Sequence, residues 1–325
     1  MSSRATTAPA TRGDDPQESP PRASAGRRRT LAQRDARAGL TLISPTVLVV
    51  MVIVVIPIIW TLMMAFQRIR LINVRRQGLF GHYTLHNFST VFTAQGFWSS
   101  LLTTLIYTLG ATVGSIAVGL VVALALRTRF RGRGLIRGAM LLPYVAPVVA
   151  VTFCWTTMLD PSFGLINAWG TRFLGWNEGI PFLSQPSTAL ATVIAFEIWR
   201  YFPFAFLFIT ARLGALAADV DEASRVDGAT PWQRFRFVTL PQLMPVLSVL
   251  LVLRFIFTFN KFDDIFLLTG GGAGTEVVSV KVFQYLRSRG DLGAGSAQAL
   301  VLAAALVILM VIYLRVNKRS EESEL

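Results

Sequence analysis

The sequence predicts an all-α integral membrane protein with six transmembrane helices and both termini in the cytoplasm. Three observations predict it: an apolar composition, six runs long enough to span a bilayer, and basic residues whose density alternates between successive loops. The 325 residues are 53% hydrophobic and only 15% charged, and mean hydropathy is +0.54. A soluble domain of this length needs more polar surface than that. A span takes roughly 20 apolar residues to cross ~30 Å of hydrocarbon. Runs of that kind lie at about 40–66, 97–126, 139–159, 189–211, 241–259 and 294–314. They are continuously apolar without strict alternation, which fits helices and not an outer-membrane barrel.

Taken in order, residues 1–38 are rich in Pro, Ser, Ala and Arg and lack an apolar h-region. They read as a disordered basic cytoplasmic tail, not a signal peptide. Residues 39–96 hold the first span, with Pro45 and Pro57, and an extracytoplasmic loop. Residues 97–316 form the transmembrane core, which includes a cytoplasmic loop at 214–240, and 317–325 form a second cytoplasmic tail. Pro143 and Pro147 are expected to kink the third span and free carbonyls toward a cavity. Cys154 is the only cysteine and His82 and His86 are the only histidines. No disulfide framework or His/Cys metal site is available, and Cys154 is expected to pack as a small hydrophobe in the third span.

The net charge of +13 invites a nucleic-acid reading, but the placement of the basic residues argues against one. Eight of the 31 Lys and Arg precede Leu40, five lie in 127–138, four in 212–240 and three in 315–319. The opposite loops hold nine: Arg68, Arg70, Arg75, Arg76, Arg172, Lys261, Lys281, Arg287 and Arg289. The bias puts both termini and the 212–240 segment inside. No base-stacking aromatic pattern accompanies these residues.

The loop before the fifth span is not a slack turn. Residues 222–241 read EASRVDGATPWQRFRFVTLP. Asp219 is positioned to cap a helix whose first turn carries Asp221 and Glu222, favourable at the positive helix end. That helix runs through Ala223, Ser224, Arg225 and Val226 to Asp227 and Gly228, where glycine supplies a left-handed exit. Thr230, Pro231 and Gln233 then form a capping box with proline at the first helical position. The second helix presents Trp232, Phe235 and Phe237, with Arg234 and Arg236 between them, and is expected to end near Pro241, which opens the next span. From the residues alone, this elbow either covers its own protein at the interface or docks a cytoplasmic partner.

The elbow resembles the EAA loop of binding-protein-dependent ABC transporter permeases. The family pattern is E-A-A, three residues, G, nine residues, I, one residue, L-P. Glu222, Ala223, Ser224, Gly228, Val238, Leu240 and Pro241 stand at those spacings, with Ser224 for the third alanine and Val238 for the isoleucine. The segments FRGRGLIRGAMLLPYVAPVVAVTFCWTTMLDPSFGLIN, FLSQPSTALATVIAFEIWRYFPF and FNKFDDIFLLTGGGAGTE extend the likeness to sugar-type permeases. They resemble the subfamily of the maltose-type larger permease subunit and the glycerol-3-phosphate permease. The ending LRVNKRSEESEL lacks the glycine-rich close of the companion subunit, which favours the first of two paired permeases. The resemblance implies a type I ABC importer transmembrane fold and a heterodimeric permease. It also implies a cytoplasmic ABC ATPase dimer carrying ATP and magnesium, and an extracytoplasmic solute-binding protein. It carries Glu222, Ala223, Ser224, Asp227, Gly228, Leu240 and Pro241 over as ATPase-coupling residues. A glutamate at a helix start accepts backbone hydrogen bonds or meets a partner's arginine.

No G-x-x-x-x-G-K-[ST] segment occurs. The glycine run at 269–276 lacks the lysine and reads as an extracytoplasmic loop. ATP-driven transport would therefore need its ATPase on another polypeptide, with no cofactor bound by this chain. Charges within spans cost roughly 2.5–3.5 kcal/mol at midplane, so each is a candidate pathway residue. Glu197 and Arg200 share a helical face and are expected to pair, while Arg254 has no carboxylate within a turn and must reach another helix, a carbonyl or a wet cavity. Phe257, Asn260, Phe262, Asp263 and Asp264 mix aromatic faces with polar groups, as a sugar site needs. Trp155, Trp199 and Tyr201 are placed to line the same space. An ion-coupled secondary transporter using Glu197, Asp263 or Asp264 is the alternative, although it leaves the EAA spacing without a reason. An intramembrane enzyme is disfavoured, since no nucleophile–base pairing is visible.

Overall fold

The structure, a computed structural model, describes residues 41–76, 81–128, 130–216 and 218–322, with only the backbone given for 218–221 and 316–322. The expected tail at 1–38 lies outside the described residues. So do the last three residues of the expected tail at 317–325.

α1 spans Thr41–Ala65, and the chain separates into two units at Ile59. Within α1 a π turn occupies Met51–Val55. Pro57 has no N–H to offer the carbonyl four residues earlier, and the wider turn ahead of it absorbs the mismatch. From Trp60 onward the elements are α2 (His86–Thr93), α3 (Phe97–Ala125), α4 (Arg133–Ala139), α5 (Leu142–Val145) and α6 (Val148–Met158). Then come α7 (Leu165–Phe173), α8 (Ala189–Gly214) and α9 (Ala218–Val226). α10 is Pro231–Phe259, followed by α11 (Asp263–Thr269), α12 (Val278–Arg287) and α13 (Leu292–Glu322). The described residues form isolated β-bridges but no strand.

Five of these helices are long and apolar enough to cross a membrane. The third expected span is the exception. The helices at 133–145 and 148–158 meet at 94°. Ala146, the residue before Pro147, is extended at ψ 143°, as the proline ring demands of its predecessor. What was expected as a kink is therefore a break. Cys154 lies exposed on α6, beside Phe153, which corrects the expectation that it is packed inside.

α3 and α8 form the centre of the bundle. They approach closely at Gly119, where an added Cβ would stand 2.7 Å from Ala205 Cβ, 2.9 Å from Phe206 N and 3.0 Å from Phe202 O. Small residues at such crossings let backbones pack without a lipid-filled gap. Two apolar layers flank the middle of α8. One gathers Phe202, Phe206, Ile209, Leu243 and Leu250, and the other gathers Tyr107, Val193, Phe196, Ile265 and Val280. Residues 197–201 fall between the layers, and the charges are found there. The glycine run forms a tight turn between α11 and α12, with Gly270, Gly271 and Gly274 at positive φ. α12 is tied to α3 where Val278 N–H donates to Thr104 Oγ1 at 3.0 Å and Ser100 Oγ donates to Glu276 at 3.1 Å.

Candidate functional site

The elbow folds as its caps dictate. α9 closes in a Schellman arrangement, with Ala229 N–H donating to Ser224 O and Gly228 N–H to Arg225 O, both at 3.1 Å. Gly228 sits at φ 75°, and a Cβ there would meet nothing within 4 Å. Backbone handedness, not crowding within the chain, calls for glycine. Thr230 Oγ1 accepts from Gln233 N–H at 3.3 Å, and Gln233 Oε1 accepts from Thr230 N–H at 2.8 Å, completing the capping box. α9 begins at Ala218, so Asp219 lies in its first turn instead of capping it.

The second helix does not stop before Pro241. Pro231–Phe259 is one helix, carried through a π turn at Phe235–Thr239. Pro241 offers no N–H to the carbonyl of Phe237, and the π turn accommodates the loss as it does ahead of Pro57. The elbow is thus helically continuous with the fifth apolar run. Residues 227–230 are the link between α9 and α10.

Glu222, Ala223, Asp227, Gly228 and Pro241 are exposed, while Ser224 and Leu240 are half-buried. Val226, absent from the sequence expectation, is 88% exposed one turn from Ala223. Together they give α9 a small apolar face toward solvent. The available signal was an aliphatic residue in an otherwise polar helix.

The buried charges are arranged differently from the expectation. Arg254 Nη2 donates to Glu197 Oε1 at 2.9 Å, so the partner of Glu197 is on α10 and not its neighbour Arg200. Arg200 turns to the α5–α6 break, donating to Ala146 O at 3.1 Å and Pro143 O at 3.4 Å, and lies 4.0 Å from Asp264. The carbonyls freed by the prolines therefore receive a guanidinium and do not face open space. Lys261 lies 3.1 Å from Asp263 and 3.2 Å from Asp264, and donates to Tyr201 OH. The Tyr201 ring faces Arg254 at 4.4 Å and Lys261 at 4.6 Å. Three cations and three carboxylates thus offset one another around one aromatic ring, which makes their burial tolerable.

A cavity of about 300 Å³ opens beside this ring, lined by Tyr144, Tyr201, Phe204, Arg254, Phe257 and Lys261. Of the expected pathway residues, Tyr201, Arg254 and Phe257 line it. Glu197, Arg200, Asp263 and Asp264 stand behind it or pair with its cations. Trp155 and Trp199 pack on each other at 5.4 Å, against the layer containing Phe196. Phe262 stacks on Phe266 at 4.9 Å, and the Asn260 amide donates to Ile256 O of its own helix at 2.9 Å. These four are not brought to the cavity. Sequence reading missed Tyr144, Phe204 and Lys261, the last of which it counted among the loop cations; Phe204 was signalled by its position one turn after Tyr201, Tyr144 by lying between the two prolines, and Lys261 by standing two residues before the Asp263–Asp264 pair.

The chain matches a family described as binding-protein-dependent transport system inner membrane component over residues 115–322. The trehalose/maltose transport system permease protein MalF of Thermococcus litoralis is 33% identical over 290 residues, 89% of this chain and 96% of that protein. The trehalose transport system permease protein SugA of Mycobacterium tuberculosis is 28% identical over 285 residues, 86% of this chain and 89% of its own. A solved bacterial ABC transporter involved in the import of the acidic polysaccharide alginate aligns at a TM-score of 0.77 and 23% identity, covering 90% of this chain and 99% of the other.

Proposed function

The chain belongs to the binding-protein-dependent transport system inner membrane component family, and from that premise we propose that it is the transmembrane permease subunit of an ATP-driven importer of a neutral sugar. The observation that carries this reading is the elbow: a capped, glycine-hinged helix with an exposed apolar face, helically continuous with a span. Glu222, Ala223, Ser224, Asp227 and Gly228 form the surface that a separate ATPase grips, with Val226 as an added apolar contact. Leu240 and Pro241 pass the movement into the bundle. ATP and magnesium stay on the ATPase subunits, and a solute-binding protein delivers substrate from outside to this chain and a second permease. The transmembrane core at 97–316, with its loop at 214–240, moves between inward- and outward-facing states, and both termini lie in the cytoplasm.

The substrate class follows from the cavity. Aromatic faces at Tyr144, Tyr201, Phe204 and Phe257 suit sugar rings, while Tyr201 and the cations supply donors for hydroxyls. Arg254 and Lys261 each already have a carboxylate partner, so a substrate needs no negative charge to be held there. The sugar names of the relatives agree with that chemistry. The ion-coupled alternative gains nothing from the family assignment.

Affinity capture of the tagged chain from its native membrane, with the companions identified and sugar uptake measured in a Gly228→Leu strain, tests the reading. An ATPase and a second permease are expected in the capture, with uptake lost in the variant. A chain that purifies alone and transports under an ion gradient would refute it.

A further inference from the structure

One wall of the cavity beside Tyr201 does not come from a long helix. Tyr144 belongs to α5, a piece of only four residues at Leu142–Val145. Leu142 and Val145 are 65% and 75% exposed, and Pro143 is buried. So short a helix has little of its own to fix its place. Its backbone is held from outside. Pro147 has no N–H for the Pro143 carbonyl, and the extended ψ of 143° at Ala146 takes that residue's carbonyl off the helical path. Arg200 Nη1 donates to Pro143 O at 3.4 Å, and Nη2 donates to Ala146 O at 3.1 Å. One planar guanidinium thus grips the chain on both sides of Tyr144. Arg200 is buried on the 26-residue helix α8, with its Nε 4.0 Å from Asp264. Asp264 in turn lies 3.2 Å from Lys261, another residue of the cavity wall. The Tyr144 ring meets Tyr201 edge-on at 5.8 Å and Phe204 at 6.1 Å. A shift of α5 therefore changes the spacing of three lining side chains.

We propose that Arg200 is a positioning residue: through the Pro143 and Ala146 carbonyls it fixes α5, holds the Tyr144 ring in the cavity wall and so sets the cavity's width. It does this from behind the wall, without lining the cavity itself. The consequence for sugar binding rests on the reading of that cavity proposed above; the grip on α5 does not.

The test uses the chain purified with its native companions in nanodiscs, with Cys154→Ser as background and Tyr144→Cys or Phe257→Cys as the single thiol. N-Ethylmaleimide is the probe, and mass spectrometry of this chain gives the labelling rate. Arg200→Gln is expected to speed labelling at position 144 about tenfold, the scale of a lost hydrogen bond from a charged group. The rate at position 257, on α10, is expected to stay unchanged. Arg200→Lys keeps a point charge but not the fork, so it is expected to speed labelling at 144 by only about threefold. Equal rates at 144 with arginine and with glutamine overturn the proposal. Equal acceleration at 144 and 257 also overturns it, since Arg200 would then be a general brace. Should the glutamine variant not assemble, the lysine variant decides at the same two positions: acceleration at 144 alone upholds the grip, and no acceleration overturns it. Labelling needs no substrate, which keeps the two proposals apart. An ATPase that is captured while labelling at 144 is indifferent to Arg200 sinks only the positioning role. An ATPase that never appears sinks the permease reading and leaves the labelling result standing.

Discussion

Glu197 and Arg254 meet at 2.9 Å across the α8–α10 interface, with their side chains 0% and 3% exposed. Removing one member leaves the other charged, buried and without its ion-pair partner, which costs about 3–5 kcal/mol, whereas an apolar pair of similar volume is often neutral. Glu197→Leu and Arg254→Met are each expected to lower the melting temperature of the purified transporter, and the double variant to recover most of it. Uptake should remain low in the double variant, because Arg254 also lines the cavity. Uptake that returns together with stability would make the pair a structural clasp only.

The spans and the elbow were legible in the sequence because their causes are local. Apolar run length, a Thr-Pro-x-Gln cap and a glycine exit are each read within a few residues. The partner of Glu197 was not legible, because the nearby Arg200 satisfies the one-turn rule while the actual partner lies 57 residues away and is chosen by packing of α8 on α10. The break at Ala146–Pro147 was half-legible. Proline announces a disturbance, but its angle depends on Arg200 capturing the freed carbonyls from another helix. Trp155 and Trp199 were misplaced for the same reason, since the composition of a helix does not say which face meets the cavity.

Tyr201 separates two roles that Lys261 and Arg254 share. Tyr201→Phe keeps the ring faced by both cations but removes the hydroxyl that accepts from Lys261. A hydrogen bond to a charged group contributes about 1.5–3 kcal/mol net, so a raised KM for uptake with the maximal rate nearly kept is expected. Tyr201→Ala also removes the cation–π contacts, about 0.5–2 kcal/mol each, and should reduce the maximal rate as well. Indistinguishable kinetics for the Phe variant and wild type would remove the hydroxyl from the binding site.

Gly228 tests what the elbow needs from its glycine. An L-residue held in the left-handed region costs roughly 1–2 kcal/mol, and asparagine tolerates it best. If φ 75° were the whole requirement, Gly228→Asn would transport nearly as well as wild type. Nothing in the chain lies within 4 Å of the would-be Cβ, so any steric demand comes from a partner. The expectation is that Gly228→Asn and Gly228→Ala both retain the ATPase on capture yet lose uptake. Full uptake in the asparagine variant would reduce the position to backbone geometry.

Gly119 and Gly110 lie on the same helix but face different obstacles. At Gly119 two of the three nearest atoms to an added Cβ are backbone, at 2.9 and 3.0 Å, whereas at Gly110 the nearest is a side-chain carbon of Ile194 at 3.4 Å. Backbone cannot yield by rotating a side chain, so Gly119→Ala must push α3 and α8 apart, and overpacking of this kind costs about 1–3 kcal/mol. α8 carries Glu197, Arg200 and Tyr201, so the same displacement shifts the walls of the cavity beside Tyr201 relative to Arg254 on α10. Gly119→Ala is therefore expected to melt earlier in detergent and to lose uptake, while Gly110→Ala stays close to wild type in both. Equal melting of the two variants would show that the α3–α8 contact is looser than 2.7 Å from Ala205 implies, and the link between helix packing and cavity shape would fall with it.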